Sequence, residues 1–121
     1  MRVALGLIGI VLATGLVSAQ ASKPKDTKAE LAKLEKSYKA SKAAYVKKPK
    51  DANLKKKYVQ ATVDFGTATM MSGDLTPKVK YPGALKLYRE ALKVDPKNKV
   101  ALENKKMIED IYRSMGREIP K

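Results

Sequence analysis

Apolar residues recur at helical spacing in four stretches of this chain, and proline or glycine punctuates the gaps between them. In the first stretch Leu31, Leu34, Tyr38, Ser41 and Tyr45 follow a three-four rhythm, one stripe on a helix of roughly 20 residues. Thr27 with Glu30 three residues later predicts a capping box at its start, and Pro49 stops it. Alanines at 29, 32, 40, 43 and 44 favour the helix throughout. Asp51 is a plausible N-cap for a second helix, Ala52 to Ser72, on which Leu54, Tyr58, Ala61, Phe65 and Ala68 repeat the stripe. Gly73 stands where a left-handed C-cap belongs, and residues 74–80 read as a polar loop containing Pro77.

The third stretch is YPGALKLYREALKVDP, residues 81–96. Pro82 suits a first helical turn, where a missing N–H costs nothing. Ala84, Leu85, Leu87, Tyr88, Ala91 and Leu92 then recur at helical spacing, and Asp95-Pro96 ends the helix. A fourth helix is expected from Asn98, with Leu102, Ile108, Ile111, Tyr112 and Met115 on its apolar face and Gly116 as its cap. No segment reads as strand. The expected fold is all-α, an antiparallel stack of four helices over residues 27–116, with a tail over 117–121.

The third helix resembles the second helix of a tetratricopeptide repeat (TPR), a pattern of small–x3–aromatic–x2–Ala–x4–Pro met by Ala84, Tyr88, Ala91 and Pro96. Upstream, Phe65-Gly66 and Gly73-Asp74 occupy the places of that family's Leu-Gly pair and Gly-Asp turn. Thr62 and Thr69 stand where the family carries Trp and Tyr, and the turn is longer by the residues of Thr76–Tyr81. Residues 43–51, AAYVKKPKD, echo residues 90–98, EALKVDPKN, as a degenerate earlier copy. Ile108, Tyr112 and Gly116 suit a closing helix, and Glu109, where the second helix has Gly66, would keep any following helix away. The resemblance implies about one and a half repeats plus a capping helix, and a non-catalytic protein-interaction module. Its first-helix groove would be lined by Gln60, Val63, Thr67 and Met71. Packing of Val63 and Met71 against the first helix is the plainer reading of the same positions. Close approach is expected between Gly66 and the Ala84 face.

Ahead of the helices, Arg2 and the start amine precede an uncharged apolar run from Val3 to Val17, followed by Ala19-Gln20-Ala21. This is the layout of a secretory signal peptide, residues 1–21, with residues 22–26 as a flexible leader containing Pro24. An uncleaved anchor is the alternative, since the uncharged stretch reaches the ~20 residues that span a bilayer. Cleavage implies a periplasmic or secreted protein with no further membrane segment.

Charge adds a second theme. The chain carries 26 Lys and Arg against 12 Asp and Glu. Residues 22–57 hold 13 lysines against 4 acids. Lys33, Lys36, Lys39 and Lys42 fall on one arc of the first helix, with Lys47, Lys48, Lys50 and Lys55–Lys57 beyond it. They are candidates for a polyanion surface, nucleic acid or an anionic envelope polymer, while an ordinary solvated helix face is the plainer reading of the same positions. The tyrosines among them lie on the apolar stripe, out of reach of bases, so nucleic acid is not the expected partner. With no Cys and no His, disulfides, thiol chemistry, imidazole catalysis and the usual zinc sites drop out. The adjacent Glu109 and Asp110 diverge on a helix, and no phosphate-cradling loop or nucleophile motif occurs, so neither an enzyme nor a cofactor is expected. The reading is an exported binding module with a protein partner. The short stack also predicts a weak dimer through Leu31, Leu34 and Tyr38, because helical repeats need about three units for stability.

Overall fold

The computed structural model describes residues 27–121. The apolar run, the Ala19-Gln20-Ala21 site and the leader lie outside the described residues. Four helices follow one another: α1 (Thr27–Lys47), α2 (Ala52–Met71), α3 (Pro77–Val94) and α4 (Lys99–Ser114). No strand occurs among the described residues, and no described helix is long and apolar enough to cross a membrane.

Short connections force consecutive helices to pack antiparallel. Side-chain pairs show the direction. Tyr45 stacks on Tyr58 with ring centroids 5.1 Å apart, Tyr38 meets Phe65 at 5.6 Å, and Thr27 donates to Asp74, so α1 runs against α2. Lys80 Nζ reaches the Ser72 carbonyl at 3.3 Å near one end of the α2–α3 pair, while Thr67 and Tyr88 bond near its middle at 2.9 Å. α4 then packs on α3 and touches α2.

The core lies between α2, α3 and α4. Ala84, Leu85, Tyr88, Ala91, Ala101 and Ile108 are fully buried, with Tyr58, Val59, Val63 and Met70 nearly so. No residue of α1 is buried, although Leu31, Leu34, Tyr38, Ser41 and Tyr45 are half-buried as their rhythm predicts. α2 therefore works on two faces. The stripe of Leu54, Ala61, Phe65 and Ala68 is half-covered, and the more deeply buried set is Val59, Thr62, Val63, Gly66, Thr69 and Met70. Thr62 and Thr69 enter the core because each hydroxyl donates at 2.7 Å to a carbonyl of its own helix, Tyr58 and Phe65 respectively.

Several expected boundaries and contacts shift. α3 begins at Pro77 rather than Pro82, with Thr76 extended at the N-cap and its carbonyl accepting from Val79 and Lys80 at 2.9 Å. Pro82 sits inside the helix, where it removes the one bond its N–H would donate to the Lys78 carbonyl. The apparent long turn at 76–81 is thus mostly helix. Gly73 is not a left-handed cap. Ser72 ends α2 in an extended conformation, and its Oγ accepts from the Asp74 N–H at 3.3 Å. Thr27 stands within the first turn of α1, its hydroxyl committed to Asp74 instead of a capping box. On α4, Leu102 and Met115 are 47% and 51% exposed, and Ala101 with Ile108 holds the core instead.

The expected Gly66–Ala84 contact also moves. A Cβ on Gly66 would meet the Tyr88 ring at 3.2 Å and Leu87 Cβ at 3.3 Å, one turn beyond Ala84. Gly83 takes the neighbouring level, facing Thr69 Cγ2 at 3.6 Å. The missing side chain at Gly66 leaves the space that the Tyr88 ring fills.

Caps at the other expected boundaries hold. Asp51 accepts from the N–H groups of Asn53 and Leu54 at 2.9 and 3.0 Å, and Asn98 accepts from Ala101 at 3.0 Å. Gly116 adopts φ +64° at the end of α4. Arg117 N–H bonds to the Tyr112 carbonyl and Gly116 N–H to Arg113, both at 3.0 Å, the paired bonds of a Schellman turn.

Candidate functional site

The four predicted groove residues do not form one open stripe. Val63 is 4% exposed and belongs to the core. Thr67 is half-buried, and its hydroxyl lies 2.9 Å from the Tyr88 phenol. Asn104 of α4 donates to the same phenol oxygen at 3.0 Å. Tyr88 thereby ties α2, α3 and α4 through one buried hydroxyl. Burial pushes that phenol up in pKa, partly offset by the bonds to Thr67 and Asn104. Gln60 is exposed and donates to Asp64 at 2.8 Å, while Met71 is 73% exposed.

The predicted lysine arc divides in two. Lys33 and Lys36 are exposed, with no ion pair. Lys39 pairs with Glu35 at 3.0 Å. Lys42 is not a free surface charge. It donates to Glu90 of α3 at 2.8 Å and to the Tyr38 phenol oxygen at 3.3 Å, with the ammonium 5.6 Å from the Tyr38 ring centre. Tyr38 itself donates to Glu90. The hydrogen bond to Glu90 raises Lys42 above the ordinary lysine range. For Glu90, burial works toward a higher pKa, but the donors Lys42 and Tyr38 outweigh it and hold the carboxyl below its ordinary value. Burial raises Tyr38 and pushes Tyr58 up to about 12. This cluster joins α1 to α3 across α2, and its net charge is neutral.

Sequence reasoning missed Asn104 and Glu90. Asn104 falls between Ala101 and Ile108 on the buried face of α4, and a polar residue on an apolar stripe was its available signal. Glu90 carries no such signal, since its partners come from a helix about fifty positions earlier.

Two further surfaces are open. On α4 the apolar residues Val100, Met107 and Met115 are about half exposed, and Met107 and Ile111 line a shallow groove with Glu103, Lys106, Asp110 and Ser114. At the other end of the α2 packing, a cleft of about 520 Å³ lies between the first turns of α2 and the α3–α4 turn. Lys55, Lys56, Gln60, Asp95 and Asn98 border it, over a floor that includes Val59. Among the described residues no group of acidic side chains is arranged to hold a metal ion, and no buried side-chain polar atom lacks a hydrogen-bond partner.

No protein-family model matches this chain, and comparison with curated proteins and with solved structures finds no match.

Proposed function

We propose that this protein is a non-catalytic, TPR-like interaction module, exported to the cell envelope, that binds a protein partner. The observation that carries the reading is the interlock of α2 with α3. Ala84, Tyr88 and Ala91, the small, aromatic and Ala positions of the repeat pattern, are fully buried on α3, and Gly66 receives the Tyr88 ring one turn from the Ala84 contact the pattern predicts. The uncovered apolar residues of α4 and the exposed Met71 at the end of the groove positions supply contact surface. Groove contacts would then come from Gln60 and Met71, with Thr67 and Val63 supporting them from below. A photo-crosslinker at position 71 or 107, carried by the exported chain, should capture one discrete envelope protein. Capture of no protein above the level seen with a crosslinker at the solvent-facing Lys36 would overturn the reading.

Two companions of this reading fare unequally. A weak dimer through α1 draws little support, because Leu31, Leu34 and Tyr38 are half-buried within the chain itself. The alternative of a polyanion surface on α1 loses Lys39 and Lys42 to ion pairs and keeps Lys33 and Lys36.

A further inference from the structure

The antiparallel path gathers lysines that are far apart in sequence. The end of α1, the start of α2, the end of α3 and the start of α4 share one end of the stack. The cleft bordered by Lys55, Lys56, Asp95 and Asn98 shows the α2 start and the α3–α4 turn side by side. Lys47, Lys48 and Lys50 arrive on the α1–α2 turn, Lys55, Lys56 and Lys57 on the first turns of α2, and Lys93 and Lys97 from α3 and its following turn. All are exposed, and none takes part in an ion pair.

The acids nearby, Asp51 and Asp95, are outnumbered and form no ion pair with them. Asp51 is committed to the backbone N–H groups that begin α2, and Asp95 accepts from the Lys97 N–H at 3.3 Å. Lys99 has only Glu103, at 3.8 Å. The ion pairs shorter than this lie within α1, between α1 and α3, or along α4 from Lys105 onward. The positive N-terminal dipole ends of α2 and α4 are offset at this end by the negative C-terminal ends of α1 and α3, so the lysine side chains alone set its charge. So much unpaired like charge in one place costs folding stability unless an anion meets it.

We propose that this end of the stack binds a phosphodiester polymer through its backbone charge, without reading its sequence. Only lysines converge here, and the arginines at 89, 113 and 117 lie elsewhere. Lysine presents a mobile point charge, whereas planar, bidentate recognition is the work of arginine. A polymer with one charge on every unit meets such an irregular array in any register. An acidic protein segment would need carboxylates in a comparably dense run. A membrane is disfavoured, because exposed apolar side chains near this end are few, Val46 at 65% with Val100 and Leu102 at 47%, against eight unpaired lysines. The described aromatic side chains at this end, Tyr45 and Tyr58, are stacked on each other and do not offer themselves to bases. The lysines that make the site are not among the residues assigned to the protein partner, of which Gln60 alone borders the cleft, so the two readings can fail separately.

The test compares two full-length variants of equal charge. One replaces Lys47, Lys48, Lys50, Lys55, Lys56 and Lys57 with Gln, and the other replaces Lys28, Lys33, Lys36, Lys78, Lys86 and Lys121 with Gln. Fluorescence anisotropy with labelled dT20 and with poly(glycerol phosphate) across a salt series reads the affinity. The first variant should lose more than tenfold in affinity at low salt, and its salt dependence should flatten by about 0.7 in slope for each lysine that touched a single strand. The second should stay within about threefold of the unsubstituted chain, the residue of a general charge effect. Binding of either polymer supports the site, and the tighter of the two names its source. Equal losses in both variants would overturn the proposal, because binding would then follow net charge alone. Tighter binding to polyglutamate or to phosphatidylglycerol vesicles at matched ionic strength would overturn it as well.

Discussion

Tyr88 shows how one side chain sets the geometry around it. Its ring fills the space left by Gly66, and its hydroxyl joins Thr67 to Asn104. Gly66→Ala would gain up to about 1 kcal/mol in helix propensity. The new methyl, however, would stand 3.3 Å from Leu87 Cβ, which is fixed to the α3 backbone, and 3.2 Å from a ring held by two hydrogen bonds. Crowding of this kind costs about 1–3 kcal/mol. The variant should therefore lose about 1 kcal/mol net, read as a lower urea midpoint at unchanged slope. Tyr88→Phe keeps the ring and strands Thr67 and Asn104, at an expected cost of about 1–2 kcal/mol.

Titration of the tyrosines is a second consequence at single residues. Tyr38, Tyr58 and Tyr88 all have raised pKa values, with burial the largest cause in each. A group with a raised folded pKa stabilises the fold fully below its unfolded value, near 10, and that contribution disappears as pH rises through the folded value. Thermal midpoints should be steady between about pH 7 and 9 and fall progressively from about pH 10 toward 12, the value reached by Tyr58. Glu90 acts in the other direction. Its lowered pKa gives stability that is present above the ordinary carboxyl value and lost as pH falls through the folded one. Glu90→Gln should therefore flatten the acid side of the same profile.

Helix ends separate the caps that matter from the glycines that do not. Asp51 satisfies two orphan N–H groups of α2, so Asp51→Ala should cost about 1 kcal/mol. Gly116 has φ +64°, which an alanine adopts only with strain, and Gly116→Ala should cost a similar amount of about 1 kcal/mol. Gly73 has no positive φ, and a Cβ there would meet nothing within 4 Å. Gly73→Ala should be neutral or slightly stabilising through reduced freedom of the unfolded chain. Parallel denaturation of these variants would separate a turn built by Ser72 and Asp74 from one built by a left-handed glycine. A large loss at Gly73 would restore the latter.

Over the whole stack, charge is unevenly shared. α4 is laced with ion pairs from Lys105 to Arg113, while the lysine-rich end has almost none. Screening that repulsion should stabilise the fold. Raising salt from about 0.01 to 0.15 M shortens the Debye length from about 30 to 8 Å, so the thermal midpoint should climb over that range. The climb should shrink when Lys47, Lys48, Lys50, Lys55, Lys56 and Lys57 are replaced by Gln. A midpoint that falls with added salt would mean that the α4 ion pairs dominate the balance.

Local patterning was enough to predict the four helices, the Asp51 cap, a fourth helix starting near Asn98 and the Gly116 ending, because period, capping and proline stops act within a few residues of sequence. It was enough, too, to place Ala84, Tyr88, Ala91 and Ile108 in the core. It misplaced the start of α3, where two prolines both satisfy the first-turn rule and the choice of Pro77 depends on what the preceding turn packs against. It could not set the register of α2 on α3, since a one-turn slide keeps every apolar face inward and only the fit of the Tyr88 ring at Gly66 decides between the alternatives. Lys42 reads in sequence as one more surface lysine, and only the arrival of Glu90 from α3 turns it into a partner. The lysines at the turns were visible as separate runs. Their convergence with Lys93 and Lys97 on one face is a property of the antiparallel path, which no local interaction specifies.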